Sequence, residues 1–246
     1  MPGGLLRSPI DAIRWHPHPS SSYVRSVKIY AHRGWHGAPN LENTMSAFRR
    51  AADHGFGIET NLRTNRNGTL ILHRDRTVAG EPVDQLDHHG IRRRSGRDVP
   101  RLDQRLEAEL SVPLKLEVKV TAAWSAMSAY VQAGLPKVLI SSFIHPIVVA
   151  AAEDRGLEAA VLRASAPVHP SIVASVSTKV RTIVWYYDVV DPALFSSLAG
   201  AGFRNIVYGP ITPAEHLLLS GLNCDVVTDT TDLFRDDRDG TQETRR

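Results

Sequence analysis

Short apolar runs that suit β-strands alternate with runs that suit helices, and this alternation restricts the fold of the 246-residue chain more than any other feature. It is typical of parallel strands joined by crossover helices. A doubly wound open sheet would give the same alternation, but eight or nine strands with polar side chains clustered at their ends favour a closed TIM-type (β/α)8 barrel. The expected strands are 27–31, 56–62, 69–73, 114–119, 137–142, 158–163, 181–187, 204–208 and 225–228, and the better helices are 44–54, 122–133, 145–155, 168–176, 192–201 and 213–220.

The second and third expected strands are separated by too few residues for a helix. Asn67-Gly68 lies between them and is a strong signal for a two-residue hairpin turn. With this dipeptide at the centre of the hairpin, Leu62 lies opposite His73 and Asn61 lies opposite Arg74. The sequence therefore predicts an antiparallel hairpin inserted between the second and third strands of the barrel.

Composition and length describe one ordinary globular domain. The chain is 42% hydrophobic and 22% charged, with a formal net charge of +3 that is too small for a dedicated nucleic-acid binder. We assign residues 26–234 to a single barrel domain, residues 1–25 to a loose leader and residues 235–246 to a disordered tail. Cys224 is the only cysteine, which excludes an internal disulfide. Without a secretory signal or an apolar run long enough for a transmembrane segment, the chain is expected to be cytoplasmic.

The only dense basic cluster is Arg92–Arg94 with Arg97 and Arg101, and we expect it to lie in a loop. Such a cluster is usually a solvated surface, and its sharper interpretation is attraction of an anionic substrate.

Two histidines and two glutamates stand at or next to the ends of four different expected strands: His32, Glu59, His73 and Glu117. In a parallel barrel these ends meet at the C-terminal mouth, where active sites of this architecture lie. Histidine titrates nearest neutral pH, so His32 and His73 suit an acid/base pair. A single such histidine is more often structural, but four polar residues at one rim indicate a site.

Side chains alternate along a strand, so Asn61 shares a face with Glu59, and Lys119 shares a face with Glu117. Glu59, Asn61 and Glu117 offer hard oxygen ligands that suit Mg²⁺ or Ca²⁺. Lys119 would offset the charge of a bound phosphate, and Arg33 could grip phosphate oxygens. The alternative for each Glu/Lys pair is a buried salt bridge.

Seven segments in this order resemble the glycerophosphodiester phosphodiesterases of the phospholipase C-like barrel superfamily. They span nearly the whole globular part, and the first five are specific in combination. The segments are Ala31-His-Arg-Gly34, Pro39-Asn-Leu-Glu-Asn-Thr44, Gly57-Ile-Glu-Thr-Asn61, Asn67-Gly-Thr-Leu-Ile-Leu-His73, Leu116-Glu-Val-Lys119, Ile140-Ser-Ser-Phe143 and Val226-Val-Thr-Asp229.

The resemblance implies metal-dependent hydrolysis of a small glycerophosphodiester to glycerol 3-phosphate and an alcohol. It also implies roles by position. The acid/base pair is His32 and His73, the metal ligands are Glu59, Asn61 and Glu117, the phosphate contacts are Arg33 and Lys119, and the residues bracing the first loop are Glu42 and Asn43, with Asn43 or Thr44 capping the next helix.

Two residues depart from the family pattern. Asn61 stands where the family has Asp, which removes one negative charge and predicts weaker metal binding. Arg74 replaces the Asp directly after the second histidine, and its charge is expected to favour the neutral imidazole of His73. Asp75, one position on, is a candidate to replace part of the missing carboxylate.

A smaller departure concerns the aromatic wall of the site. Tyr208 stands where the family usually has Trp, and Trp185, with Tyr186 and Tyr187, is expected to supply that wall from the preceding strand.

The departures leave a second interpretation beside hydrolysis. A catalytically impaired or repurposed family member would bind a phosphoester, or would use a substrate hydroxyl for transfer or cyclisation. The retained histidines favour the hydrolase.

Overall fold

Eight parallel strands close into a barrel in the computed structural model, which describes residues 27–38, 41–132, 138–165 and 170–234. The first barrel strand pairs with both the second and the last, so the ring is closed by hydrogen bonds. The predicted barrel is confirmed, and the open doubly wound sheet is excluded. The predicted leader and tail lie outside the described residues.

The barrel elements follow the predicted alternation, and residues 77–107 add two short strands and two helices that were not predicted. The strands are β1 (Ile29–His32), β2 (Gly57–Thr64), β3 (Leu70–Leu72), β4 (Thr77–Val78), β5 (Glu81–Pro82), β6 (Leu114–Val118), β7 (Val138–Ser142), β8 (Glu158–Arg163), β9 (Thr182–Tyr186), β10 (Arg204–Tyr208) and β11 (Asp225–Thr228). The helices are α1 (Met45–Asp53), α2 (His88–Ser95), α3 (Leu102–Glu107), α4 (Thr121–Gln132), α5 (His145–Glu153), α6 (Pro170–Val176), α7 (Pro192–Gly200) and α8 (Pro213–Ser220). The barrel consists of β1, β2 and β6 to β11.

The core has two layers because alternate residues of each strand face opposite sides. Outward residues such as Ile58, Leu116 and Val226 pack beneath the helices. The inward apolar residues form a second cluster inside the barrel: Tyr30, Leu139, Ala160, Leu162, Val184, Ile206 and Val227.

The N-terminal end of the barrel is closed by a charged cluster. Arg204 donates from Nε to Asp225 at 2.7 Å and from Nη2 to the hydroxyl of Tyr30 at 3.2 Å. It also pairs with Glu158. The charges of this cluster are therefore paired with one another inside the barrel.

The predicted hairpin is present, but its register differs by one residue from the prediction. Leu62 lies opposite Leu72, and the backbone N–H of His73 donates to the carbonyl of Asn61 at 2.9 Å. Directly opposed residues of an antiparallel pair present their side chains on the same face. His73 therefore shares a face with Asn61, whereas the predicted register would have turned it to the other side.

The register follows from the turn chemistry. A two-residue type I′ turn needs positive φ at both central residues, and of the Asn67-Gly68 pair only Gly68 has it, at 75°. The Asn65 side chain instead accepts from the N–H groups of Asn67, at 3.0 Å, and Thr69, at 2.9 Å. This stabilises a three-residue loop with glycine in the left-handed position.

Arg92–Arg94 lie in a helix, so the predicted loop is wrong for them, whereas Arg97 lies between α2 and α3 and Arg101 directly precedes α3. The Asp87 side chain caps α2 by accepting from the N–H of Gly90 at 2.7 Å, and Gly96 ends the helix with φ 64°. Only Gly90 and Ile91 of this helix are buried, so its apolar periodicity is too weak to detect in the sequence. Within the described ranges, no helix combines the length and the apolar character needed to cross a bilayer.

Candidate active site

The C-terminal ends of the barrel strands, here called the mouth, bring together most of the predicted site residues. His32 ends β1 and lies next to Glu59 of β2 in the strand register. Asn61 of β2 is likewise paired with Glu117 of β6. Lys119 continues the β6 ladder by donating its N–H to the carbonyl of Leu62 at 3.1 Å.

His32 is oriented by a carboxylate that was not among the predicted site residues. Its Nδ1 lies 2.9 Å from Oδ1 of Asp229, and its Nε2 lies 3.9 Å from Oε2 of Glu59. An ionised carboxylate can only accept, so Nδ1 carries the proton of this hydrogen bond. The other nitrogen, Nε2, is then the one available for proton transfer.

Oδ1 of Asp229 also lies 3.3 Å from Nε2 of His36, four residues after His32 in the chain. Burial alone would raise the pKa of Asp229, but the hydrogen bond to His32 and the close approach of His36 hold that pKa well below its usual range. Asp229 follows directly after β11, so the signal that identified the other strand-end residues points to it as well.

His73 is the second histidine at this face, and it is 4% exposed. Neither of its ring nitrogens makes a hydrogen bond of ordinary geometry within the described part of the chain. Burial lowers the pKa of the His73 imidazole, and the positive charge of Arg97 lowers it further. The ring is therefore neutral near pH 7 and able to accept a proton.

Arg97 takes the electrostatic role that was expected of Arg74. The Arg74 side chain is half exposed and lies 3.6 Å from Asp75, its neighbour in the chain. Both residues are thus turned toward solvent. Arg97 instead reaches the first loop, where it donates to the backbone carbonyl of Glu42 at 2.9 Å.

The first loop, which joins β1 to α1, is braced by Glu42 and Asn43. The Glu42 carboxylate pairs with the guanidinium of Arg33, and the Arg33 backbone N–H donates to Glu59 at 3.3 Å. Asn43 adopts a positive φ of 53° and accepts from the hydroxyl of Thr60 at 2.7 Å. The next residue caps α1, while Pro39 and Asn40 of the same motif lie outside the described residues.

The predicted ligands form a buried cluster of two carboxylates and one amide. Glu59, Asn61 and Glu117 are 2%, 1% and 8% exposed. The amide nitrogen of Asn61 donates to Glu59 Oε1 and to Glu117 Oε2, each at 3.3 Å. The amide oxygen is buried and makes no hydrogen bond to the described residues.

Two lysines neutralise this cluster, and only Lys119 was among the predicted site residues. Lys119 pairs with Glu117. Lys115 is 2% exposed, and its Nζ lies 3.8 Å from Oε1 of Glu59. Burial would raise the pKa of Glu59, but Lys115 and, to a smaller extent, His32 bring it below its ordinary value. Alternation along β6 was the available signal, since Lys115 shares a face with Glu117.

The cluster as placed does not fit a resident Mg²⁺ or Ca²⁺ ion. Each carboxylate already has an ammonium partner, so the negative charge that would attract a divalent cation is balanced. Asn61 presents donors, where a metal ligand would present an oxygen. Across the described ranges, no group of three or more His, Cys, Asp or Glu is placed to hold a metal.

The aromatic side of the mouth is formed by Tyr186 and Tyr208, whose ring centroids are 5.3 Å apart. Burial and the charge of Glu117 raise the pKa of Tyr208 to about 12. Gly209 leaves room for this pair, because a Cβ there would lie 2.8 Å from the Tyr186 ring.

Trp185 does not reach the mouth. It is fully buried on the outer face of β9, where it packs against Phe195 and donates its indole N–H to Asn205 at 3.0 Å. Tyr187 begins a short 3-10 helix beyond the strand. Of the three aromatic residues predicted from this strand, Tyr186 therefore forms the wall.

Comparison with known proteins identifies one family. The sequence model of the glycerophosphoryl diester phosphodiesterase family matches residues 32–155, just over half of the chain. No curated protein sequence matches the chain at a significant level.

Solved structures share the fold. A glycerophosphodiester phosphodiesterase from Thermotoga maritima superposes with a TM-score of 0.73 at 18% identity, covering 86% of this chain and 98% of that one. One from Parabacteroides distasonis gives 0.74 at 18% identity, covering 84% and 94%. An Oleispira antarctica phosphodiesterase in complex with the product sn-glycerol-3-phosphate gives 0.70 at 17% identity, covering 81% and 91%.

Proposed function

The chain belongs to the glycerophosphoryl diester phosphodiesterase family, whose members are phosphoric diester hydrolases, and on that premise we propose that it hydrolyses a small glycerophosphodiester. The products would be a phosphomonoester of the glycerol 3-phosphate type and an alcohol. The product bound in the Oleispira antarctica relative supports a small substrate. A cytoplasmic location stays a prediction.

The observation that carries this proposal is the state of the two histidines. Asp229 holds His32 in one tautomer, with Nε2 3.9 Å from the Glu59 carboxylate. His73 is buried on the face of Asn61, with its pKa lowered by burial and by Arg97. Two imidazoles in different environments are what a two-step proton relay requires.

These environments assign the roles. Neutral His73 suits the general base that removes a proton from the attacking water. His32 suits the general acid that protonates the leaving alkoxide, because the Asp229 carboxylate balances the charge of its protonated ring. The phosphorus gains the bond to the water oxygen and loses the bond to the alkoxide. The proton of the water passes to His73, and a proton from His32 passes to the alkoxide.

The negative charge of the transition state needs nearby cations. Lys119, which pairs with Glu117, and Arg33, which pairs with Glu42, are the proposed contacts of the phosphate oxygens. The family generally uses a divalent metal. In this chain the carboxylates are already neutralised by lysines, so no step of the proposed reaction uses a metal.

Hydrolysis of glycerophosphocholine, glycerophosphoethanolamine and bis(p-nitrophenyl) phosphate, followed by phosphorus NMR, tests the proposal. His32→Gln should lower kcat by about 100-fold or more, in the range of general acid catalysis. His54→Gln is the matched control, since His54 contacts Trp35 and the Arg50 carbonyl away from the mouth. Equal activity of His32→Gln and wild type would overturn the assignment.

A repurposed site is the second candidate, and the amide of Asn61 between two carboxylates favours it. Such a protein would bind glycerol 3-phosphate without turning over any diester. A site that uses a substrate hydroxyl would give a cyclic phosphate or a new diester, and both are visible by phosphorus NMR.

A further inference from the structure

Lys115 lies inside the barrel at the point where the two ligand-bearing strands meet. The geometry points to Lys115 as the resident cation of this site: its ammonium takes the electrostatic place of a divalent metal, so that a phosphoester is bound without Mg²⁺ or Ca²⁺. This inference rests on the proposed function only for the identity of the ligand.

The position of Lys115 is set by strand register. Lys115 of β6 and Glu59 of β2 are direct partners in adjacent parallel strands, and their side chains are each 2% exposed. The next residue along the strand order in this layer is Leu139 of β7, an inward apolar residue. A buried ammonium is costly unless paired, and Glu59 is the carboxylate within 3.8 Å.

One layer nearer the mouth, Asn61 occupies the space between the two carboxylates. Its amide nitrogen donates to both Glu59 and Glu117 at 3.3 Å. The flipped amide would place its oxygen against two carboxylate oxygens, which is repulsive unless a cation lies between them. In the orientation present here, Asn61 offers its donors to the two carboxylates and no oxygen to a cation between them.

The charges of the whole cluster balance without an added ion. Two carboxylates, Glu59 and Glu117, face two ammonium groups, Lys115 and Lys119. A divalent ion bound to Glu59 would share that carboxylate with the Lys115 ammonium, and Lys115 is enclosed by the barrel and cannot withdraw into solvent. Lys115 thus opposes metal entry through charge, and Asn61 opposes it through donor chemistry.

A titration with Mn²⁺ followed by electron paramagnetic resonance tests this without relying on turnover. Wild type should bind no Mn²⁺ up to about 1 mM, while Asn61→Asp/Lys115→Gln should bind it at least about 100-fold more tightly, because cation affinity follows ligand charge count. Lys115→Arg, which keeps the charge, is the control and should behave like wild type. Micromolar Mn²⁺ binding by wild type would overturn the inference. This outcome is measured on the wild-type protein, so it does not depend on whether a variant folds.

The hydrolysis assay with and without EDTA separates this inference from the proposed function. Turnover that is insensitive to EDTA supports both. Turnover that EDTA abolishes, together with tight Mn²⁺ binding, overturns the role of Lys115 and leaves hydrolysis standing. Binding of glycerol 3-phosphate in EDTA without any turnover supports the role of Lys115 and overturns hydrolysis.

Discussion

Nδ1 of His32 lies 2.9 Å from Oδ1 of Asp229, and this bond joins the first and last strands of the barrel at the mouth. The carboxylate holds the imidazole in one tautomer and balances the charge that the ring gains on protonation. Asp229→Asn keeps the shape of the side chain but removes that charge and permits the wrong tautomer. We expect kcat to fall by about 100-fold or more, because the proton-transfer step is lost.

The matched control for this substitution is Asp232→Asn. Asp232 is an exposed carboxylate three residues further along the chain, in the 3-10 helix Thr231–Phe234. Steady-state kinetics and thermal melts on both variants separate loss of function from loss of fold. If both lower kcat equally, or neither does, Asp229 does not orient the acid.

The pH dependence of hydrolysis should report the environment of His73. Burial and the charge of Arg97 lower its pKa, so the acidic limb of kcat/KM should lie below the ordinary histidine value of about 6.5. Arg97→Gln removes a positive charge that disfavours the imidazolium. The pKa of His73 then rises, and the acidic limb moves to higher pH.

Arg93→Gln is the control for that shift, because Arg93 is an exposed residue of α2. Loss of Arg97 also releases its bond to the Glu42 carbonyl, so KM is expected to change as well. The diagnostic result is the pH at which the acidic limb of kcat/KM lies. If that pH is the same in Arg97→Gln and wild type, Arg97 does not lower the pKa of His73.

The barrel strands, β3 and most of the helices were predictable, because apolar runs at the periods of strand and helix determine them locally. The short strands β4 and β5 and the helices α2 and α3 were not predicted. The hairpin register was not predictable, since it depends on the Asn65 side chain bonding the loop. Lys115 was overlooked for a different reason: its partner Glu59 is far away in sequence, and only the register of β2 against β6 brings the two together. Trp185 and Tyr186 differ by one position, so the phase of alternation decides which of them faces the mouth.

Gly57 gives a test of the interior packing. Its φ is ordinary, but a Cβ there would lie 2.7 Å from the Tyr30 ring inside the barrel. Gly57→Ala should therefore destabilise the fold by about 1–3 kcal/mol, as overpacking of a dense core does. Gly200→Ala in α7 is the control, because no atom lies within 4 Å of its added Cβ. Urea unfolding measures both, and an equal free energy of unfolding for the two variants would contradict the close contact.

The two aromatic positions of β9 and β10 should separate stability from substrate binding. Trp185→Phe removes the donor to Asn205 and leaves a buried acceptor unpaired, so the free energy of unfolding should fall by about 1–3 kcal/mol while KM stays unchanged. Tyr208→Ala removes half of the Tyr186–Tyr208 pair at the mouth, and KM should rise. Kinetics and urea unfolding on the two variants check this division. A rise in KM confined to Trp185→Phe would show that Trp185, and not Tyr186, belongs to the aromatic wall of the mouth.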